Sequence, residues 1–271
     1  MRRPTIGVFD SGFGGLTVLK ALLELIPEAD YLYFGDTARL PYGSKSVETV
    51  ARYAVEAAHY LEGHGAQLLV IACNTATALA LDRIVAAAHV PVVGVVEPGA
   101  EAAAAVSKNK KVVVVGTEAT VSSHAYRRAL EARGLETREK ACPLLVPLVE
   151  EGWVEHPVTD QVAETYLAEA FADGFHDADA LVLGCTHYPL LKTVLRKAAP
   201  DHVSIVDSAE STARVVAERL KGFAISAEGE ERRRTPRLKF FATDSVEKFR
   251  RLGERFLGQP IEDVEHVDLK E

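Results

Sequence analysis

The chain has 271 residues, of which 48% are hydrophobic and 26% are charged, and its formal net charge is −8. This composition is typical of a globular protein with a sizeable core, and it excludes collagen-like and intrinsically disordered chains. No apolar run approaches the roughly 18 residues that a membrane-spanning helix needs, and no basic stripe offsets the negative charge. We therefore expect neither a membrane nor a nucleic acid as a partner.

The N-terminal segment and the cysteines indicate the compartment. Residues 1–7 pass directly into a strand-like run, without the apolar region of a signal peptide. The three cysteines, Cys73, Cys142 and Cys185, are odd in number and widely spaced, which does not suit a disulfide framework. We therefore expect a cytoplasmic protein in a reducing compartment.

Short apolar runs rich in valine and isoleucine alternate with longer segments of helical period. The runs predict strands at 5–10, 31–35, 68–72, 91–96, 111–116, 137–141, 180–184 and 204–207. The period predicts helices at 16–23, 47–63, 75–87, 125–133, 158–172 and 208–220. Because strands that alternate with such helices form parallel βαβ units, the sequence predicts an α/β fold with sheets covered on both faces.

A faint internal repeat divides the chain. Residues 69–75 and 181–187 each contain an apolar strand, a small residue, a cysteine and then polar residues, and these two segments lie about 110 residues apart. The repeat predicts two pseudo-symmetric domains, the first formed by residues 1–97 plus 208–271 and the second by residues 98–207. The charged segment 228–234 is expected to be a surface connection.

Reactive side chains follow several of the predicted strands. Asp10, Cys73, Thr117 and Cys185 each end an apolar strand, which is where ligands bind in parallel α/β sheets. A single cysteine there is usually a small apolar residue, but matching positions in two halves would bring Cys73 and Cys185 to one cleft. Cys142 lies outside the repeat, and we predict a structural role for it.

Two facing cysteines favour proton transfer over metal binding. There is no Cys-x-x-Cys, and His187 is the only nearby imidazole, so no metal site is expected. Thiols on opposite sides of one carbon could remove a proton from one face and deliver one to the other, which is racemisation or epimerisation without a cofactor. Both thiols would precede helix N-termini, which favour thiolates. His187 is either a proton partner or a capping or core histidine.

The loop at 10–15, Asp-Ser-Gly-Phe-Gly-Gly, does not match a phosphate-binding motif. It lacks the Gly-Lys-Ser/Thr of a P-loop and the glycine spacing of a dinucleotide site. A carboxylate beside backbone N–H groups suits an amino acid better. The segment 41–44 adds further N–H groups and hydroxyls, as do Thr117 and Thr120. No arginine belongs to this set, so neutral donors are expected to hold the substrate carboxylate.

Five segments resemble a known family, in its order and over most of the chain. They are residues 7–15, 35–43, 72–77, 147–152 and 184–189. The resemblance is to the cofactor-independent glutamate racemases of bacterial cell-wall synthesis. It implies two α/β domains with mainly parallel sheets and the active site in the cleft between them. It also implies interconversion of L- and D-glutamate for peptidoglycan by a homodimer.

The resemblance also implies roles for individual residues. Cys185 would deprotonate L-glutamate and Cys73 the D-enantiomer, assisted by Asp10 and His187. Glu150 is a further catalytic candidate, preferred to Glu151 because it directly follows Pro-Leu-Val. The resemblance and the polar loops together predict these substrate-binding residues: Asp10, Ser11, Pro41, Tyr42, Gly43, Asn74, Thr75, Thr117, Thr120, Thr186 and His187.

Three other functions remain compatible with the sequence. A racemase of the same superfamily that acts on aspartate or a hydantoin is the nearest alternative. A Cys/His hydrolase would use one thiol as a nucleophile and form a covalent adduct. A non-catalytic amino-acid-binding module would bind the ligand without exchange of its α-proton.

Overall fold

The computed structural model describes residues 3–221 and 235–269. The charged segment at 228–234 therefore lies outside the described residues. None of the helices found in the two described ranges combines the length and the apolar character needed to cross a membrane.

Within the described ranges, ten strands form two sheets in which every neighbouring pair is parallel. The strands of the larger sheet are β1 (Thr5–Asp10), β2 (Asp30–Gly35), β3 (Leu68–Ile71), β4 (Val92–Gly94), β9 (Leu238–Ala242) and β10 (Val264–His266). The strands of the smaller sheet are β5 (Lys111–Gly116), β6 (Glu136–Ala141), β7 (Ala180–Gly184) and β8 (Ser204–Asp207). The strand orders are β10-β9-β2-β1-β3-β4 and β6-β5-β7-β8.

Helices connect most of the strands. Those of the first part of the chain are α1 (Leu16–Leu25), α2 (Val47–Gly63), α3 (Asn74–Ala87) and α4 (Val96–Val106). The next are α5 (Glu118–Ser123), α6 (Ala125–Glu131), α7 (Leu145–Glu150) and α8 (Pro157–Ala170). The last are α9 (Lys192–Ala198), α10 (Ser208–Leu220) and α11 (Val246–Leu257). Short 3₁₀ turns occupy Thr37–Arg39, Tyr42–Ser44 and Tyr188–Leu191.

The two sheets repeat one topology. In the first, β1 lies between β2 and β3, with β4 beyond; in the second, β5 lies between β6 and β7, with β8 beyond. Cys73 follows β3 and Cys185 follows β7, so the two cysteines occupy equivalent ends of equivalent strands. The predicted α/β fold with two pseudo-symmetric, mainly parallel sheets is confirmed.

Apolar side chains on both faces of the strands form the core. β3 and β7 are buried along their whole length, which explains why their sequences are continuous apolar runs. One cluster of buried side chains extends across both sheets, joining Val8 and Val70 of the first to Val113 and Leu181 of the second. The two sheets therefore share a hydrophobic core, which fixes the strand ends of one relative to those of the other.

Some elements differ from the prediction. The predicted strand 91–96 is too long, because β4 ends at Gly94 and Val95 is already helical as the cap of α4. α4 then runs across the predicted boundary between residues 97 and 98. The helix predicted directly after Cys185 is wrong, since a 3₁₀ turn that contains Pro189 follows instead and α9 begins only at Lys192. β9 and β10 were not predicted.

Candidate active site

A pocket of about 570 Å³ lies at the carboxyl ends of strands from both sheets. Twelve of the predicted site residues line it: Ser11, Pro41, Tyr42, Gly43, Cys73, Asn74, Thr75, Thr117, Glu150, Cys185, Thr186 and His187. Asp10 and Thr120 do not line it. Asp10 directly precedes Ser11 in the chain, and the hydroxyl of Thr120 lies 2.9 Å from that of Thr117. The structure therefore brings the two cysteines and their predicted partners to one cavity.

Cys73 caps α3. Its Sγ accepts a hydrogen bond from the N–H of Ala76 at 3.4 Å and donates one to Ser11 Oγ at 3.5 Å. Burial raises the pKa of the Cys73 thiol to about 12, with a further rise from the neighbouring Asp10, although the bonds from Ala76 and Ser11 oppose it. At neutral pH the thiol of the unliganded protein is therefore protonated.

Asp10 lies at the end of the central strand β1. Its Oδ2 accepts the N–H of Gly12 at 2.9 Å, while Oδ1 is buried without a hydrogen-bond partner among residues 3–221 and 235–269. Burial raises the pKa of the Asp10 carboxyl, and the nearby His187 cation and backbone N–H groups reverse only part of this rise. Asp10 therefore holds a proton more tightly than an ordinary carboxyl group does, and it lies beside the Cys73 thiol.

The glycines of the loop after β1 allow the first half of the chain to approach the second. A Cβ atom at Gly14 would come within 2.2 Å of Thr186 Oγ1 and 2.6 Å of His187 Nδ1, distances that no side chain can adopt. A Cβ atom at Gly15 would lie 2.5 Å from the Cβ atom of Asp10. Gly14 therefore permits close packing of the two halves, and Gly15 permits close packing against Asp10 within the first half.

His187 connects Cys185 to Glu150. Its Nε2 lies 3.1 Å from Glu150 Oε1, and its ring is buried against the edge of Phe256. Burial alone would lower the pKa of His187, but interactions with the Cys185 and Glu150 side chains raise it to about 10. The hydrogen bond from His187 in turn lowers the pKa of Glu150. At neutral pH the pair is therefore an imidazolium and a carboxylate. Glu151, by contrast, is exposed.

Removing the charge of Glu150 should lower the pKa of His187. Glu150→Gln keeps the shape of the side chain but removes the carboxylate that helps to hold the imidazolium, so we expect the pKa of His187 to fall below its value of about 10. NMR titration of the histidine ring protons, assigned with His187→Asn, measures it. Glu151→Gln is the matched control and should leave the titration unchanged. Equal shifts in both variants would contradict the pairing of His187 with Glu150.

Neutral polar groups form another wall of the pocket. Asn74 Oδ1 accepts a hydrogen bond of 2.7 Å from the hydroxyl of Tyr126, while its Nδ2 is buried without a partner in the part of the chain that the structure describes. Thr75 Oγ1 lies 2.9 Å from Thr117 Oγ1 and 3.3 Å from Thr120 Oγ1, so hydroxyls from both halves of the chain meet here. This wall provides hydrogen-bonding groups without charge.

The loop that carries Pro41, Tyr42 and Gly43 is anchored by a buried carboxylate. Asp36 Oδ2 accepts the hydroxyl proton of Tyr42, and Asp36 Oδ1 accepts that of Thr243 at 2.9 Å. Thr243 directly follows β9, so this unpredicted strand supports the pocket.

The sequence reasoning missed three further residues. Lys248 and Glu118 line the pocket, and Tyr126 orients Asn74. Among the lining residues that the structure describes, Lys248 is the one lysine or arginine. Lys248 lies in the first turn of α11, which follows β9. The strand-end rule would have indicated this region if β9 had been recognised.

Comparison with known proteins identifies the family. The family model of the Asp/Glu/hydantoin racemases matches residues 6–216. The chain belongs to this family. The glutamate racemase of Koribacter versatilis is 62% identical to it over an alignment of 287 residues that covers 99% of this chain and 98% of the relative.

Solved structures agree with this assignment. A glutamate racemase isoform from Bacillus anthracis superposes with a TM-score of 0.91 at 38% identity, covering 99% of both chains. The glutamate racemase of Francisella tularensis, solved in complex with D-glutamate, superposes with a TM-score of 0.89 at 34% identity, covering 99% of this chain and 98% of the other. The family, the fold and the racemase class predicted from the sequence are confirmed.

Proposed function

We propose that the chain interconverts L- and D-glutamate by a two-base mechanism that uses Cys73 and Cys185. The observation that carries the proposal is that both thiols, from equivalent strand ends of the two halves, line one pocket. A cysteine on each side of a substrate can serve both faces of its α-carbon. The relatives named as glutamate racemases support glutamate as the substrate.

Unpaired buried atoms support binding of an amino acid in this pocket. Asp10 Oδ1 and Asn74 Nδ2 are buried and have no hydrogen-bond partner within the described ranges. Buried polar atoms are rarely left unpaired, so a ligand that supplies partners is expected here. In our proposal the Asn74 amide and the hydroxyls of Thr75 and Thr117 bind carboxylate oxygens. The remaining predicted residues, Ser11, Pro41, Tyr42, Gly43, Thr120 and Thr186, complete or support the binding surface.

For L-glutamate, Cys185 acts as the base and Cys73 as the acid. The His187 imidazolium places a positive charge beside Cys185, whose thiolate is the form that accepts a proton. The thiolate takes the α-proton, the Cα–H bond breaks, and the electron pair delocalises into the carboxylate. The Cys73 thiol, protonated at neutral pH, then donates its proton to the opposite face of the carbon.

For D-glutamate, the thiols exchange roles. Cys73 must first lose its proton, and Asp10 beside it has a raised pKa that suits it to accept or relay that proton. Cys185 then donates its own proton while His187 and Glu150 hold the charge that remains. Each direction thus uses an assisting group on the side where the α-proton is removed.

We infer that Lys248 attracts the anionic substrate to the pocket. Lys248→Met should raise KM for glutamate up to about fivefold with little change in kcat, because an exposed charge pair contributes up to about 1 kcal/mol. Steady-state kinetics at low salt measure the change, and added salt should reduce the difference. Arg251→Met removes a charge from an exposed position of the same helix and should leave KM unaltered. A similar KM increase in both variants would argue against a specific role for Lys248.

Turnover should need no cofactor. No lysine in the sequence occupies a recognisable pyridoxal phosphate site, and two thiols provide the proton transfers themselves. We therefore expect the activity to survive dialysis against EDTA and to be unaffected by added pyridoxal phosphate. Activity that is lost on dialysis and restored by a metal ion would contradict this expectation.

The activity itself can be tested with the purified protein. L-Glutamate incubated without cofactor should lose its circular dichroism signal as the D-enantiomer accumulates, while L-aspartate under the same conditions should keep its signal. Racemisation of aspartate but not glutamate would redirect the proposal to the neighbouring activity of the family. Binding of glutamate without exchange of its α-proton would show a non-catalytic binding protein.

We also propose the cellular setting of this reaction. D-Glutamate would supply peptidoglycan synthesis, as the family resemblance implies. The three cysteines are all free, which suits a reducing cytoplasm. We further propose that the protein is a homodimer. Each chain would divide into a first domain of residues 1–97 plus 208–271 and a second domain of residues 98–207. Size-exclusion chromatography with light scattering tests the dimer.

A further inference from the structure

Three side chains that are common metal ligands converge on the surface, at a place separate from the pocket. His59 and Glu62 lie one turn apart near the C-terminal end of α2, and His89 lies just beyond the end of α3. One nitrogen of each imidazole and one carboxylate oxygen lie within 4.8 Å of one another. Two imidazoles and a carboxylate are a ligand set that binds zinc with a fourth position open to water.

Neighbouring groups already hold this cluster in place. Glu62 Oε1 accepts the backbone N–H groups of His89 and Val90, at 2.6 and 3.2 Å, and Glu62 Oε2 lies 3.1 Å from His89 Nδ1. His59 Nε2 lies 3.1 Å from the carbonyl oxygen of Ala87. Partial burial would raise the pKa of Glu62, but the hydrogen bonds from His89 and Val90 outweigh it and lower that pKa. Glu62 is therefore a fixed carboxylate at neutral pH.

The distances require only a small adjustment to bind a metal. Bonds of 2.0–2.1 Å in a tetrahedral site place neighbouring ligand atoms about 3.3 Å apart, and the separation of Glu62 from His89 is already 3.1 Å. Since the ligand atoms all lie within 4.8 Å of one another, no gap in the cluster would have to close by more than roughly 1.5 Å, given the same bond lengths. The His89 side chain is 83% exposed and can move without disturbing packing, whereas Glu62 is only 12% exposed.

We propose that His59, Glu62 and His89 form a binding site for a zinc-like divalent metal ion. The ion would join the C-terminal end of α2 to the segment after α3, two helices that pack against each other. At their N-termini, α2 begins at Val47, after the Tyr42–Ser44 loop, and α3 begins at Asn74, after Cys73. With 1.5 Å of rise per residue, the length of α3 would place the ion about 20 Å from Cys73. The metal ion would stabilise the fold without taking part in the reaction. The proposed metal site is therefore independent of the proposed function.

Zinc titration of the untagged protein tests the site. We expect calorimetry to detect one zinc ion per chain at this cluster and thermal unfolding to shift to higher temperature with zinc. His89→Ala and Glu62→Gln should weaken this binding about tenfold or more and remove the thermal shift. Glu62→Gln retains an oxygen that can accept the backbone N–H groups, so it separates metal binding from loop structure. His202→Ala, which removes an exposed histidine elsewhere, should bind zinc like the unaltered protein.

The catalytic thiols are the competing zinc ligands, and the same samples distinguish them. Zinc at the surface cluster should leave the racemase rate unchanged, whereas zinc on Cys73 or Cys185 should inhibit it. Unchanged zinc stoichiometry and affinity in both His89→Ala and Glu62→Gln would overturn the proposal. So would zinc binding that disappears entirely when the thiols are alkylated.

Discussion

Replacing either Cys73 or Cys185 by alanine is expected to abolish racemisation in both directions. Each thiol serves one face of the α-carbon, so every passage needs both, once as the base and once as the acid. Removing a general acid or base costs up to about 10⁴-fold in rate, and we expect kcat to fall by roughly this factor in each variant. Initial rates from L- and from D-glutamate measure the loss.

Cys142 provides the matched control for both variants. It is buried like the other two cysteines, and burial raises its pKa to about 12 as it does that of Cys73. It does not line the pocket, and its Sγ contacts only the carbonyl oxygen of Lys140, at 3.6 Å, among the described hydrogen bonds. Cys142→Ala should therefore change turnover little. Full activity in Cys73→Ala or Cys185→Ala would contradict the two-base assignment.

Asp10→Asn and His187→Asn are expected to reduce kcat by roughly 10²- to 10⁴-fold, with smaller effects on KM. Both changes keep the approximate shape of the side chain and remove its acid–base function. His187 interacts with Cys185, so its loss should impair the L-to-D direction more. Asp10 interacts with Cys73, so its loss should impair the D-to-L direction more.

The direction of the loss distinguishes proton transfer from binding. The equilibrium constant between the two enantiomers fixes the ratio of their kcat/KM values, and no variant can change it. A difference between the two directions must therefore appear in kcat and KM taken separately, and in the isotope effect of the α-proton. Equal losses in both directions that reside only in KM would show that Asp10 and His187 merely bind the substrate. Circular dichroism and thermal unfolding of the variants confirm that they remain folded.

Much of the architecture could be predicted from local sequence, because the central strands carry a strong signal. β3 and β7 are buried on both faces, so each is a continuous apolar run, and a cysteine follows each at the sheet edge where ligands bind. Recognising these two runs as a repeat was sufficient to place Cys73 and Cys185 in one pocket.

β9 and β10, which lie together at one side of the larger sheet, were missed for a physical reason. β9 is only partly buried, and Lys239 within it forms an ion pair of 2.8 Å with Glu265 of β10, so its pattern is not a continuous apolar run. Its place beside β2 depends on pairing between residues some 200 positions apart, which no local pattern encodes. Lys248, which follows β9, was missed with it.

The choice between Glu150 and Glu151 also depended on tertiary structure. The two residues are neighbours of one chemical type, and their order after Pro-Leu-Val is the only local difference. α7 ends at Glu150 and brings it to His187, which is 37 residues away in the sequence, whereas Glu151 is exposed. Contacts over such a separation follow from packing rather than from propensity.

Solvent deuterium incorporation tests the two-base mechanism most directly. Unlabelled L-glutamate is incubated with the enzyme in D₂O, and both enantiomers are separated and analysed at low conversion. If Cys185 removes the proton and Cys73 delivers another, the D-glutamate formed carries deuterium at the α-carbon while the recovered L-glutamate remains unlabelled, and the reverse reaction gives the mirror result. Deuterium that enters the recovered substrate as fast as the product would show that a single base serves both faces, and would contradict the account.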